Sequence, residues 1–330
     1  MRILYGIQGT GNGHISRAKE IIPYLKEYSD VDVLISGTQS DVAMNQSVKY
    51  RFNGLGYAFG SHGKIDLSRT LMEAKIGRLI HDVRHLPISD YDMIISDFEP
   101  ISAWAGKLAG KHVVAMSHQA SFLSDLSPRP AKRNAFAEGI FKHYAPCNAA
   151  IGFHFKRYDN FIHKPIIRKA IRELTPTRND HITVYMPAFH HETLVSIFHK
   201  LPEIRWDLFS KHAQVNSESR NVTIRPIDDT NFVRSLESCQ GLLTGAGFEA
   251  PSEALFLGKM LMVVPMSMQY EQQCNAKALR LIGVPVLPIM NDYAVEPLRR
   301  WLNEQHYIQV RYEDRTRNIV HNLLKMEIAA

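Results

Sequence analysis

Two facing Rossmann-like α/β domains, each on a parallel sheet with a cleft between them, form the architecture this sequence predicts, and three observations predict it. Apolar runs short enough to be fully buried strands alternate with amphipathic helical stretches along nearly the whole chain. Two strand-to-helix turns carry clustered glycines, Gly9 to Gly13 and Gly245 to Gly247. At 330 residues the chain is long enough for two domains that each bury a core. The proline-punctuated basic segment 163–180 reads as the linker between domains at 1–162 and 181–330.

Taken in order, Ile3 to Ile7 is a strand, GTGNGH a glycine-rich turn, and Ile15 to Leu25 a helix with Ile15, Ala18, Ile21, Ile22 and Leu25 on one face. Val31 to Ser36 is a buried strand and Gly37 begins a turn. Tyr50 to Gly63, rich in glycine and aromatics, reads as a loop, and Leu67 to about Arg84 as a helix. Tyr91 to Asp97 and Val113 to Gln119 are strands. They bring Asp97 and Glu99, then His118, to strand ends, where ligands bind in open α/β sheets. Asp97 and Glu99 are second-choice catalytic candidates, and a cap on the helix Ile101 to Leu108 is at least as good a reading of Asp97. Ala149 to Phe155 closes the first domain. In the second, strands are expected at Ile182 to Phe189, Arg205 to Ser210, Asn221 to Ile227 and Gly283 to Ile289, with helices from about Val295 to Glu304 and Asp314 to Ile328.

The segment Leu242 to Ala276 is the most informative. An apolar run enters a turn with Gly245, Ala246, Gly247, Phe248 and Glu249 and continues into a short helix with Pro251 in its first turn, where a missing N–H costs nothing. Glycines let backbone approach a ligand, and the free N–H groups of a helix's first turn favour an anion such as a diphosphate. Gly258 marks the helix stop and Met260 to Pro265 a buried strand. The loop that follows carries Gln269, Glu271, Gln272 and Gln273, side chains suited to the hydroxyls of a sugar.

This ensemble resembles the donor segment of the GT-B glycosyltransferases, particularly the MurG-type N-acetylglucosaminyltransferases and the UDP-glycosyltransferases. It keeps Gly247 through Glu253, the strand ending at Pro265, and Glu271-Gln272-Gln273-Cys274-Asn275-Ala276. The resemblance implies a GT-B fold, with Glu253 on the ribose hydroxyls, Glu271 and Gln272 on the donor sugar, and Gln273, Gln269 and Asn275 close by. It also aligns Ile227 with a position that reads the nucleotide base. Plant-type enzymes place a His at the start of this box to contact the diphosphate. Gly245 stands there, so loop amides must do that work.

The first turn resembles the Gly-Gly-Thr-Gly-Gly-His loop of the MurG type through Gly9, Thr10, Gly11, Gly13 and His14, with Asn12 in place of one glycine. A dinucleotide fingerprint does not fit, because the glycines are spaced two apart and His14 stands where the third is needed. His14 would sit at a helix N-terminus, whose positive end favours the neutral imidazole, and a neutral imidazole can serve as general base. By resemblance it lies in the interdomain cleft and deprotonates the acceptor hydroxyl or orients acceptor or phosphate. The 50–63 loop is then on the acceptor side. Met186 to His191 departs from the family's second phosphate loop, with His190 and His191 as candidate replacements or an exposed pair.

Composition bounds the remaining classes. Hydrophobic residues make up 45%, no run approaches the ~20 apolar residues of a bilayer span, and no signal peptide is expected at the start. Three scattered cysteines, Cys147, Cys239 and Cys274, point to a reducing cytoplasm and no zinc cluster. The net charge of +6 is modest and calls for no nucleic-acid partner. The loop Leu126 to Phe136, with Arg129, Lys132 and Arg133 beside prolines and near Phe122 and Leu123, is a candidate for peripheral contact with the inner face of a membrane or with an anionic acceptor.

The expectation is therefore a metal-independent, inverting transferase, with no cofactor, that moves a hexosyl or N-acetylhexosaminyl group from a nucleoside-diphosphate sugar, UDP foremost, to an unidentified hydroxyl, lipid-linked or cell-envelope acceptors included. A sugar-nucleotide epimerase or hydrolase of the same fold, or a non-catalytic sugar-nucleotide-binding protein, are the alternatives.

Overall fold

The computed structural model describes residues 1–37, 44, 46–54 and 76–328. The first sheet is parallel throughout. Its strands and helices follow as β1 (Arg2–Gln8), α1 (Asn12–Lys26), β2 (Asp30–Ser36), β3 (Tyr50–Phe52), α2 (Ile76–His85), β4 (Met93–Asp97), α3 (Pro100–Leu108), β5 (His112–Ser117), α4 (Ala135–His143), β6 (Ala149–Phe153) and β7 (Ile162–His163). Their spatial order, β3-β2-β1-β4-β5-β6-β7, reverses direction between β1 and β4. Ile7 on β1 pairs in register with Asp97 on β4. That switch point leaves a crevice beyond the strands' carboxyl ends.

After α5 (Lys169–Arg172) the second sheet runs β8 (His181–Tyr185), α6 (His191–Phe198), β9 (Arg205–Ser210), β10 (Ser217–Ser219), β11 (Val222–Pro226), α7 (Asp229–Ser238), β12 (Gly241–Gly245), α8 (Glu249–Leu257), β13 (Met260–Val264) and α9 (Tyr270–Arg280). The order is β10-β11-β9-β8-β12-β13, parallel except for the short β10. Here the reversal lies between β8 and β12, so Tyr185 and Gly245 end beside a second crevice. β1, β4 and β13 are buried nearly end to end, as strands covered on both faces must be. α10 (Val295–Glu304) and α11 (Thr316–Ile328) follow. α11 packs on α1, placing Ile319, Val320, Leu323 and Leu324 in one apolar cluster with Ile15 and Ile22, while Arg317 donates to Glu27 at 2.8 Å.

Several expectations need correction. Gly283 to Ile289 forms no strand: Val286 makes one isolated bridge to Val263, because Pro285 and Pro288 have no N–H to continue a ladder. The strand from Ile182 stops at Tyr185, and the one from Val113 at Ser117, where a 3-10 turn Gln119–Leu123 begins. Asp97 caps no helix. Pro100 occupies the first turn of α3, so the cap falls on Glu99, which accepts from Ile101 N at 2.8 Å and Ser102 N at 2.7 Å. Residues 67–75 of the expected Leu67 to Arg84 helix, and most of the 50–63 loop with Tyr57, Phe59, Gly60 and Gly63, lie outside the described residues.

Candidate active site

Two cavities meet where the sheets face each other. One, of about 440 Å³, opens at the end of β12 between Tyr185, Phe209, Ile227 and Phe232 and reaches Glu253 and Arg168. The other, of about 300 Å³, lies under the first sheet, with His14 and Arg17 on one side and Phe98, Phe141, Tyr144 and Tyr270 on the other. Gly13, Gly247, Phe248 and Glu249 line both, so the two form one continuous cleft joined at the two glycine turns.

The junction holds an ionic cluster. His14 lies at the start of α1, and its Nδ1 is 2.7 Å from Asp97 Oδ1 at the end of β4. A backbone reason underlies this: β1 and β4 are neighbours, so the turn after β1 returns over the end of β4. Arg17, one helical turn on and 3% exposed, donates from Nη2 to Asp97 Oδ1 at 2.6 Å and from Nε to Oδ2 at 3.0 Å. Its Nη1 reaches Glu249 at the start of α8, across the cleft. Burial pushes the Asp97 carboxyl up, but the Arg17 guanidinium and His14 outweigh it and hold it below its ordinary value. An ionised Asp97 accepts Nδ1–H and leaves His14 Nε2 with the free lone pair a general base needs.

Glu253, 4% exposed, is held by Arg168, just before α5, with Nε to Oε1 at 2.6 Å and Nη2 to Oε2 at 3.0 Å. Arg168 Nη1 also donates to Asp229 Oδ1 at 2.6 Å. Burial pushes the Glu253 carboxyl up, against the pull of Arg168. Thr244, Gly245, Gly247 and Gln272 complete this wall, and Asn12 bridges to it through Tyr185 Oη at 3.3 Å. Gln272 Oε1 accepts from Met266 N at 3.0 Å.

Thr10, Gly11, Gln269 and Glu271 line the smaller cavity instead, Glu271 accepting from Gln119 Nε2 at 3.0 Å. Others among the expected residues line neither. Gly9 packs on the end of β2, where a Cβ would stand 2.8 Å from Gly37 O. Ala246 is fully buried, and Gln273 donates to Ser267 O at 2.5 Å. Asn275 is also fully buried: its Nδ2 donates to Ala246 O, and its Oδ1 sits 2.8 Å from His118 Nε2.

His118 lines the smaller cavity but is 1% exposed, with Nδ1 2.7 Å from Phe153 O and its ring stacked on Phe248. Burial pushes it down to about 3. Both nitrogens are engaged, so it ties the two sheets together rather than meeting a ligand. His190 is exposed, stacks on His212 and faces neither cavity.

The basic loop is likewise not what its composition suggests. Arg129 is buried and bidentate to Glu138, and Phe122 is 1% exposed, which leaves Lys132, Arg133, Leu126 and Phe136 at the surface. Among the described residues no helix is long and apolar enough to cross a membrane. Sequence reasoning missed Arg17, Arg168, Asp229 and the aromatic wall. Arg17 had the one available signal, a position one turn after His14 on the same helix face.

Comparison with known proteins follows this geometry. The fold is similar to that of Os79 from O. sativa in complex with U2F and trichothecene (12% identity, 99% of this chain and 95% of that one, TM-score 0.61). It is also similar to Arabidopsis thaliana UGT89C1 complexed with UDP (16%, 100% and 94%, TM-score 0.57) and to Acinetobacter baumannii MurG (14%, 98% and 99%, TM-score 0.56). No curated protein matches the sequence. The two facing sheets are thus those of the GT-B glycosyltransferases. The model of glycosyl transferase family 1 matches residues 1–303, and the chain, a glycosyltransferase, belongs to that family.

Proposed function

We propose that this transferase moves a sugar from a nucleoside diphosphate, UDP foremost, to a hydroxyl acceptor with inversion at the anomeric carbon and without a metal. The observation that carries the reading is the His14–Asp97 contact of 2.7 Å at the junction of the two cavities. The nucleotide occupies the larger cavity, with its ribose hydroxyls toward Glu253, its base toward Ile227 and its diphosphate at the Gly245–Gly247 turn and the first turn of α8. The solved relative bound to UDP supports that choice of nucleotide. Gln272 and Glu271 flank the donor sugar from the two cavities. The aromatic wall of the smaller cavity favours an acceptor with an apolar body beside its hydroxyl.

In the reaction His14 Nε2 takes the hydroxyl proton while the acceptor oxygen bonds to the anomeric carbon. The bond from that carbon to the diphosphate breaks, and the diphosphate leaves with the electron pair. Asp97 stabilises the imidazolium that forms, and backbone N–H groups of the turn stabilise the leaving oxygens.

The test is thermal stabilisation by UDP-, GDP-, dTDP- and CMP-sugars, on the native chain and on Glu253→Ala, followed by turnover with His14→Ala. One nucleotide class should raise Tm in the native chain only. His14→Ala should retain that shift and lose transfer by about 10²- to 10⁴-fold, and EDTA should leave transfer unchanged. Stabilisation by none of them, or full transfer by His14→Ala, would sink the reading.

A further inference from the structure

The chain crosses between its two sheets twice, and a third cavity lies where the crossings meet. The outgoing crossing runs from β7 through α5, and the returning one precedes α11. They are tied to each other by Arg172 Nη1 to Tyr312 O at 2.7 Å and Lys164 Nζ to Arg311 O at 3.4 Å. Between them is a space of about 260 Å³ bordered by Arg157, His163, Lys164, Arg172, Glu313 and Arg315.

The charges around that space do not balance. Glu313 is its only lining carboxylate and is already paired with Arg315 at 2.9 Å. Among the described residues, Arg157, Lys164 and Arg172 have no carboxylate at ion-pair distance. Arg157 donates to Asn160 O, and Arg172 to Ile167 O and Tyr312 O. Arg172 Nη2 is buried with no hydrogen-bond partner at all, a costly arrangement for a guanidinium. Burial lowers the charged state's preference at Arg172, against the pull of Asp314 and Glu20, and at His163, where Arg157 and Arg315 add to it. The backbone at the start of α11 does not supply the attraction, since Thr316 N is taken by Asp314 Oδ1 at 3.0 Å. The lining therefore presents Arg157 and Lys164, both exposed and without a carboxylate partner among the described residues, to an anion that enters the cavity.

We propose that this cavity is a second anion site, apart from the donor cleft, which takes a phosphate group and braces the double crossing between the sheets. A tetrahedral phosphate offers oxygens to the exposed Lys164 and Arg157 at the cavity's edge, and charge-assisted bonds of that kind are the strong ones. It lies on none of the donor-cleft residues, so it holds whichever donor the transferase uses.

The experiment is calorimetric titration of inorganic phosphate into three full-length chains: native, Arg157→Gln/Lys164→Gln, and Gly247→Asp. Both cations of the double variant are exposed, and the one tie between the crossings that it gives up, Lys164 to Arg311 O, is long at 3.4 Å, while Arg172 to Tyr312 O remains. A Cβ at Gly247 meets nothing within 4 Å, so the aspartate fits and repels anions from the donor turn alone. The proposal expects Gly247→Asp to keep phosphate binding and the double variant to weaken it about tenfold or more, with loss of two charged contacts. Equal binding by native chain and double variant overturns it, as does loss in Gly247→Asp only. Phosphatidylglycerol vesicles then distinguish the source. Sedimentation with the native chain, lost in the double variant, identifies a lipid headgroup. No sedimentation, with phosphate binding intact, identifies a soluble phosphate.

Discussion

At the scale of single residues, Arg17 makes this site different from a simple histidine–carboxylate pair. Asp97 has no exposed surface and is shared between His14 and two nitrogens of Arg17, so its negative charge is both secured and partly spent. A buried carboxylate with one guanidinium partner stays ionised, which is the condition for holding the Nδ1–H tautomer of His14. Asp97→Asn keeps the shape and removes the charge. We predict that kcat falls by about 10²- to 10⁴-fold while donor affinity, read from nucleotide-induced Tm shifts, changes little. Unchanged kcat would show that Asp97 serves Arg17 alone. The same variant leaves Arg17 with Glu249 as its remaining carboxylate, so some loss of stability should accompany the loss of rate.

At the scale of elements, the junction of β4 and α3 positions that aspartate. Phe98 turns the chain with φ at +53°, a conformation unfavourable for an aromatic residue, and Glu99 then accepts from Ile101 N, Ser102 N, Ser102 Oγ and Ser36 Oγ. Gly6 lies beneath: a Cβ there would stand 2.1 Å from Ser102 Oγ. Glu99→Ala should therefore cost about 2 to 4 kcal/mol, seen as a lower urea midpoint, because four donors lose one acceptor. A cost below about 0.5 kcal/mol would mean that water replaces the carboxylate. The sequence carried the signal for this cap in Pro100, which fixes the first helical position, but the preference for aspartate at caps pointed to Asp97 instead. Buried strands such as Met260 to Val264 were legible because covering both faces demands an unbroken apolar run. The same rule misread Gly283 to Ile289, where prolines interrupt the ladder. The glycine turns were legible through local spacing, and the places of His14 and Glu253 beside the cleft through the resemblance of the two turns to family motifs. Arg168 with Glu253 and Arg17 with Glu249 were not, because such pairs join residues 85 and 232 positions apart and leave no periodic trace.

At the scale of the whole molecule, the sheets are held face to face by a few polar crossings, and one of them titrates. His118 spans the cleft between Phe153 O and Asn275, stacked on Phe248, with His154 edge-on at 5.1 Å. Burial pushes His118 down to about 3 and holds His154 well below its ordinary value, so both are neutral in the folded chain at neutral pH. An unfolded histidine titrates near 6.5. Between about pH 6.5 and 3 the unfolded chain therefore binds protons that the folded chain does not, and stability falls as pH falls. Each such histidine removes up to about 1.4 kcal/mol per pH unit once fully charged in the unfolded state. Depressed carboxylates such as Asp97 add their loss only below their unfolded value near 3.9, while raised ones such as Glu253 and Glu271 act with the opposite sign above it, so the part due to His118 is read by comparing two chains that differ at that residue alone. His118→Phe preserves the stack on Phe248 and has no proton to take. It should be less stable at pH 8, where it removes the ring's one N–H from between Phe153 O and Asn275, yet lose less Tm between pH 6 and 4.5 than the native chain. Parallel Tm curves for the two chains across that interval would show that His118 has no part in the acid response and that the sheets are parted by other groups.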